Sequence, residues 1–278
     1  MQKIFKRILE IIFPNHCLAC NKTIGADGLF CNDDWQKLQF ITNPKCQICS
    51  QPFTSANEAH SACLTDSNSL LCAKCSAVRP SYDSSIIIFH YNDLLKKIIG
   101  DMKYRDTTSI SKKFGKILWT KILAENEKYD LIIAVPLHKK RLRERKFNQS
   151  ILLAREILRN AHAQNFKIRN YKNNAWQSFF NKTCNLKSPR FFPDILLRTK
   201  YTQAQVKLNR QKREENLRGI FAVNKKYRDV INGRSILLID DVITTGATLE
   251  NCALTLKKAG AKKITIVTIA RTPLVNNN

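Results

Sequence analysis

The stretch "ILLIDDVITTGATLENCALTLKKAG", Ile236–Gly260, sets four apolar residues before two adjacent acids, then a Thr- and Gly-rich turn, then a helical pattern. The apolar run reads as a buried strand, and Leu249 to Ala259 reads as the helix that follows. Asp240 and Asp241 then stand at the carboxyl end of the strand, where ligands bind on parallel α/β sheets. Thr244, Thr245, Gly246, Ala247 and Thr248 form the turn and the start of the helix. A helix N-terminus offers unpaired N–H groups and partial positive charge, which suit a phosphate. The threonine hydroxyls add donors, and Gly246 lets the backbone approach closely. The two carboxylates can accept hydrogen bonds from sugar hydroxyls or bind Mg²⁺ directly or through water. One loop can therefore hold a phosphate at its helical end and a ribose at its acidic end, which matches a 5-phosphoribosyl group. The turn is neither a GxGxxG loop nor a Walker A loop, so dinucleotide and ATP readings fit less well. The plain alternative is a strand–turn–helix with a capping Thr and a surface acid pair.

The surrounding chain repeats the alternation. "SSIIIFHY" (84–91), "DLIIAVP" (130–136), "DILLRT" (194–199), "GIFAV" (219–223), "SILLID" (235–240) and "KITIVTIA" (263–270) read as strands. Helical patterns cover 93–106, about 108–126, and 148–161. In the first of them Leu94, Leu95, Ile98, Ile99 and Met102 share a face, with Asp93 as N-cap. Strands alternating with helices predict an α/β domain with a mainly parallel sheet flanked by helices over 81–278. Residues 162–192, rich in Asn and Lys, show no sustained period and are expected to form a surface insertion. The alternative is a nucleic-acid-binding loop in which Tyr171, Trp176, Phe179 and Phe180 offer stacking faces.

Residues 1–80 have a different character. Eight of the ten cysteines fall before residue 76, six of them as CxxC pairs, which points to metal rather than disulfides. Cys46, Cys49, Cys72 and Cys75 make two facing CxxC turns, the pattern of a zinc ribbon with a tetrahedral four-thiolate site. The other set, Cys17, Cys20 and Cys31, lacks a fourth thiol. Asp34 is the candidate oxygen ligand for a second Zn²⁺, with His16 as the outside alternative. Cys63 has no partner of its own and reads as a spare thiol. Full ligation leaves no open position for water, so zinc here is expected to be structural.

Forty-seven Lys and Arg against twenty-two Asp and Glu give a formal charge of +25. That balance favours polyanionic partners such as nucleic acid, phosphorylated small molecules or an acidic membrane surface. The opening "MQKIFKRILEIIFPNHC" is basic and then apolar, but Glu10 interrupts it and no small-residue cleavage site follows. Ile4, Phe5, Ile8, Leu9, Ile12 and Phe13 give it the spacing of a short amphipathic helix, packed on the domain or lying on a membrane. No stretch reaches membrane-spanning length, and a cytoplasmic location is expected.

A second cluster of charge follows the strand at 130–136. Six of the eight residues 139–146 are Lys or Arg; the plain alternative is a solvated face, but the place of the run after a strand end favours anion binding. Lys103 and Arg105 in "MKYRD", and Arg198 and Gln205 in "RTKYTQAQ", add further polar groups. The segment 199–218 carries Lys207, Arg210 and Arg213 and has the polar character of a loop that closes over a reaction centre.

"ILLIDDVITTGAT" resembles the phosphoribosyl pyrophosphate (PRPP) loop of type I phosphoribosyltransferases. Together with "FPNHCLAC", "VPLHKKRLRERKFNQS" and "RTKYTQAQVKLNRQKREENLRGIFAV", it is similar to the ComF/GntX family. Members of that family join an N-terminal zinc module to a phosphoribosyltransferase-like domain, and the family is associated with natural competence and incoming single-stranded DNA. The resemblance spans the chain except 162–192. It implies PRPP as ligand with Mg²⁺, Asp240 and Asp241 at the ribose, Thr244–Thr248 at the 5′-phosphate, and His138, Lys139, Lys140 and Arg141 at the pyrophosphate, with Lys103 and Arg105 beside them. It implies a base-contacting hood drawn from the zinc module and strand 84–91. Single-stranded DNA or DNA-uptake proteins are the implied partners. A non-catalytic single-strand-binding protein and a nucleobase salvage enzyme are the competing readings. Asp34 departs from the family pattern, which has Cys there. Nothing in the sequence names the acceptor of the ribosyl group.

Overall fold

The computed structural model describes residues 14–25, 28–53, 63–64, 70–104, 107–171, 189–200 and 219–273. The expected N-terminal helix, Arg105 and the segment 201–218 lie outside these residues, as do Trp176, Phe179 and Phe180.

The front of the chain is built from short pieces. Strands β1 (Asn15–His16) and β2 (Thr23–Ile24) pair antiparallel, and helix α1 (Asn32–Trp35) follows. Strands β3 (Cys63–Leu64) and β4 (Leu70–Leu71) pair likewise and lead into helix α2 (Ala73–Ala77). The remainder is an α/β domain. Its elements are β5 (Ser84–His90), α3 (Asp93–Tyr104), α4 (Thr107–Ala124), β6 (Leu131–Ala134), α5 (Lys139–Arg145) and α6 (Gln149–Tyr171). Then come β7 (Arg190–Phe191), β8 (Leu196–Arg198), β9 (Phe221–Val223), α7 (Arg228–Ile231), β10 (Ser235–Ile239), β11 (Val242–Ile243), α8 (Ala247–Lys258) and β12 (Lys263–Arg271).

Strand β12 is the spine of a six-stranded sheet whose pairings are all parallel. One edge of β12 carries β10 and then β11 in a single line, with Ile239 opposite Val267 and Val242 opposite Ala270. The other edge carries β5, and β10 passes outward to β6 and β7. Strands β6, β10 and β12 are buried almost end to end, as expected where helices cover both faces. Alternate residues therefore feed two cores. Ile133, Ile236, Leu238, Ile264 and Ile266 face α8 through Leu249, Cys252 and Leu256. Ile132, Leu237, Ile239, Val267 and Ile269 face α3, α4 and α6 through Ile98, Met102, Phe114 and Ile157. The two cysteine clusters divide in the same way: the Cys46 set joins the α8 side and Cys17 joins the other.

The free edge of β5 is covered by the chain between those clusters. Ile41 N donates to Ile88 O at 2.8 Å, and Gln39 O accepts from His90 N at 2.8 Å. An open parallel edge would invite pairing with another chain, and this segment closes it.

Several boundaries differ from the sequence expectation. Helix α6 runs on to Tyr171 rather than ending at 161, so the first ten residues of the expected insertion are helical. Ala161 is buried, and Gln164 Oε1 accepts a 2.8 Å bond from Trp119 Nε1 of α4, which ties the polar extension to its neighbour. The N-cap of α3 is Asn92, whose Oδ1 accepts from Leu95 N, and Asp93 is the first helical residue. Helix α8 begins at Ala247, two residues early. Strands β8 and β9 pair antiparallel with each other, outside the main sheet. Strand 84–91 belongs to the central sheet beside β12, not to a separate hood.

Candidate functional site

Strand β10 ends at Ile239, and the next two residues turn their carboxylates into different surroundings. Asp240 Oδ1 accepts from Ser150 Oγ at 2.9 Å and from Asp241 N at 2.9 Å. Burial, and then the charge of Asp241, push the Asp240 carboxyl up to about 7. Asp241 Oδ1 accepts from Val242 N at 2.7 Å, and its Oδ2 pairs with Lys103 Nζ at 2.9 Å. Lys103, expected to face an anion, is thus brought instead to the second acid. Tyr91, at the end of β5, feels both Lys103 and Asp241.

The turn between β11 and α8 closes on Gly246, whose φ is +82°. That left-handed conformation strains any residue with a Cβ, so glycine is required by the backbone itself. The N-cap residue, Gly246, has no side chain to cap the helix. Ala247 N lies 3.4 Å from Thr245 Oγ1, a weak contact that leaves the N–H available. Thr244 is exposed, and its carbonyl accepts from Thr272 Oγ1 at 3.2 Å. Thr248 is half-buried within the first turn of α8.

The basic run forms α5. His138 caps it, its Nδ1 accepting from Lys140 N at 3.2 Å. Lys139 and Lys140 are exposed and Arg141 is half-buried. Arg141 approaches Arg198 of β8: burial first, and then the Arg141 charge, lower the Arg198 pKa, while Asp240 acts the other way. Arg141, Arg198 and Asp240 therefore share one neighbourhood.

Ser150 escaped the sequence reading of the acid pair. Asn148 Nδ2 donates to Val135 O at 2.9 Å and its Oδ1 caps α6 through Ser150 N. That bond sets the first turn of α6 against the end of β6 and aims the Ser150 hydroxyl at Asp240. The "NQS" triplet after a basic run is an N-cap signature, but nothing local says that it meets a carboxylate 90 residues later.

The metal candidates assemble as two clusters, in each of which the ligand atoms lie within 4.8 Å of one another. In the first-described set, Cys49 Sγ and Cys72 Sγ are 3.7 Å apart, against about 3.8 Å between sulfurs of a tetrahedral zinc site with 2.3 Å bonds. All four residues, Cys46, Cys49, Cys72 and Cys75, are buried. In the other set Asp34 Oδ2 lies 3.2 Å from Cys17 Sγ and 3.3 Å from Cys31 Sγ, while Lys37 holds Oδ1 at 3.0 Å. One carboxylate oxygen is left to complete three thiols, which fits a Zn²⁺ site. His16 is not part of it: its Nδ1 contacts Asn21 O at 3.0 Å. The side chain of Cys63 lies outside the described residues.

The ribbon and the turn are joined. Both carboxylate oxygens of Glu250, in the first turn of α8, take the Ser81 N–H at 3.0 Å, and Oε1 also takes Ser81 Oγ at 2.6 Å. The buried Arg271 guanidinium donates through Nη1 to the Cys49 carbonyl, and Arg271 sits opposite Ile243 in the sheet.

A parallel sheet with paired acids at a strand end, followed by a Thr/Gly helix start, defines a phosphoribosyltransferase-type domain, here carrying two cysteine ribbons. Residues 196–274 match the phosphoribosyl transferase domain, and residues 8–76 match the double zinc ribbon domain. Competence protein F of Haemophilus influenzae is 28% identical over 72% of this chain and 78% of its own length. DNA utilization protein YhgH of Escherichia coli K12 is 25% identical over 82% of this chain and 90% of its own. Competence protein ComFC of Bacillus subtilis is 26% identical over 92% of this chain and 94% of its own. The chain is similar to these competence and DNA utilization proteins over most of its length. No helix among the described residues is long and apolar enough to cross a membrane.

Proposed function

We propose that the chain binds PRPP with Mg²⁺ at the Asp240–Thr248 turn and transfers its ribosyl C1 to an acceptor with release of pyrophosphate. The observation that carries the reading is the pairing of two carboxylates with a glycine-capped helix start within the eight residues from Asp240 to Ala247. In this scheme the N–H groups and hydroxyls of Thr244–Thr248 hold the 5′-phosphate. Asp240 and Asp241 accept hydrogen bonds from the ribose hydroxyls and sit close enough to stabilise positive charge as it develops at C1. His138, Lys139, Lys140, Arg141 and Arg198 supply the pyrophosphate end; Arg105 belongs to the same expectation. The two acids fit Mg²⁺ because Asp240 carries an ionisation cost from burial and from Asp241 that an adjacent cation relieves. Bound there with the substrate, Mg²⁺ screens the pyrophosphate and makes it a better leaving group. We also assign a structural Zn²⁺ to each ribbon.

Calorimetric titration with PRPP in the presence of Mg²⁺ tests the site. Micromolar binding is expected for the wild type, and at least a ~30-fold loss for Asp240→Asn with Asp241→Asn, of the order expected when two charge-assisted contacts are removed. Unchanged binding in the double variant overturns the assignment.

The charge of +25 supports a second reading, in which the protein acts on DNA by binding a single strand, with or without catalysis. Its mark is a steep fall of affinity with salt. A salt-independent affinity removes it.

A further inference from the structure

Beside the phosphate turn, on the flank that faces the second ribbon, lies a cleft of about 550 Å³. One wall is the face of α8 that runs from Ala247 past Asn251 to Leu254. At 1.5 Å per residue this wall is about 10 Å long. The opposite wall is the ribbon's second knuckle and its exit, Lys74 to Pro80. A single phosphate at the turn occupies only one end of such a space.

The cleft has a charged end and an apolar flank. Arg271 lines its floor and is 3% exposed. Its Nη1 is committed to the Cys49 carbonyl, but its buried Nε has no hydrogen-bond partner among the described residues. A buried guanidinium N–H left unpaired is costly, and a ligand acceptor would satisfy it. Lys74 and Arg79 stand exposed at the rim. The acid in the wall, Glu250, is occupied by Ser81. Val78, 73% exposed, and Leu254, 40% exposed, offer apolar surface beside these cations.

We propose that this cleft is a second anion site, which takes a phosphate-bearing nucleotide unit: the phosphate against Arg271, Lys74 and Arg79, the sugar and base along Val78 and Leu254. The unit is either a free nucleotide or one segment of a single strand. The inference goes beyond the PRPP reading, because it concerns a different ligand on the ribbon side of the turn.

The test uses the full zinc-loaded chain, fluorescein-labelled oligo-dT of about eight nucleotides, and dTMP. Each probe is titrated by anisotropy or calorimetry with and without saturating Mg²⁺–PRPP. Lys74→Gln with Arg79→Gln is expected to weaken probe binding about 10-fold and to lower the salt slope of oligo-dT binding by about 0.7, the share of one phosphate on a single strand. Zinc content and PRPP affinity are expected to stay at wild-type values. Lys225→Gln with Arg228→Gln, a pair of exposed cations that do not line the cleft but a separate pocket further along α8, is expected to weaken probe binding less than about 3-fold, as general charge loss does. A loss confined to dTMP assigns the free nucleotide, and a loss confined to the oligonucleotide assigns the strand. The proposal is overturned if the cleft pair binds both probes like wild type, if the distant pair loses as much, or if PRPP displaces the probe. Failure of PRPP to bind the wild type would sink the phosphoribosyl reading instead, and the probe titrations would still decide the cleft.

Discussion

The two cysteine clusters start from the same CxxC turn and end in different relations to the rest of the molecule. The Cys46 cluster has four thiols, all buried, and its Cys49 carbonyl is held by an arginine that lies opposite the last residue of β11. The Cys17 cluster has three thiols and a carboxylate, with Cys20 exposed. Its ties to the domain are long lysine side chains, Lys97 to the Ala19 carbonyl and Lys113 to the His16 carbonyl, together with Cys17, Ala19 and Phe30 in the core shared with α3, α4 and α6. Sequence spacing makes the two ribbons look like repeats of one device. Packing makes one of them a wall of the ligand domain and the other a clasp on its far face.

The largest effect that separates them comes from removing a ligand. Cys75→Ala leaves three buried thiols without a complete site and opens the core shared with α8. Structural zinc contributes folding energy outright, so a loss of ~3–5 kcal/mol and a fall of ~10 °C in melting temperature are expected. PRPP affinity should fall with it, because Glu250 and Arg271 lose their fixed partners on the ribbon side, Ser81 and the Cys49 carbonyl. Cys31→Ala should cost well under half as much and leave PRPP binding near wild type. Equal losses in the two variants break the distinction. The measurement is differential scanning calorimetry of each variant alongside calorimetric titration with PRPP.

A smaller effect sharpens the same contrast. Asp34→Cys replaces the weaker oxygen ligand by a thiolate and frees Lys37. Zinc at that cluster should be held ~10-fold more tightly, whereas Asp34→Ala should lower the zinc count of the purified protein from two to one. In the wild type a chelator should release zinc in two steps, the partly exposed cluster first. A single step, or metal analysis showing two zinc ions in Asp34→Ala, contradicts the assignment of Asp34 as a ligand.

Much of this was legible in the sequence because local patterns carried it. The run from Ile236 to Asp241 announced a buried strand with acids at its end, and CxxC spacing announced both clusters, Asp34 included. What was missed depends on contacts far apart in the chain. The Ser150–Asp240 bond joins a helix cap to a strand end, and the Glu250–Ser81 clamp spans 169 residues. Strands β8 and β9 carry ordinary strand sequences, and only three-dimensional pairing shows that they leave the main sheet. Helix α6 outran its apolar period because a tryptophan from α4 supports the polar extension. The cleft was invisible for the same reason, since its two walls come from segments about 170 residues apart.

The finest comparison is between the two acids themselves. Asp241 has a lysine partner and Asp240 has none, so burial and its neighbour raise the Asp240 carboxyl from 3.8 to about 7. A raised folded-state pKa stabilises the fold fully below the unfolded value and loses that contribution as pH rises through the folded one. Without ligand, stability should therefore decline between about pH 4 and pH 7 by this group's share, and Asp240→Asn should remove that decline. Ligand binding should run the opposite way. If the charged carboxylate is the form that engages Mg²⁺ and ribose, PRPP affinity should rise with pH up to about 7 and then level off, by at most about tenfold per unit below it. Lys103 helps to hold the Asp240 pKa down, so Lys103→Gln should move that break upward. A break that stays put in Lys103→Gln would show that Asp240 does not feel the lysine.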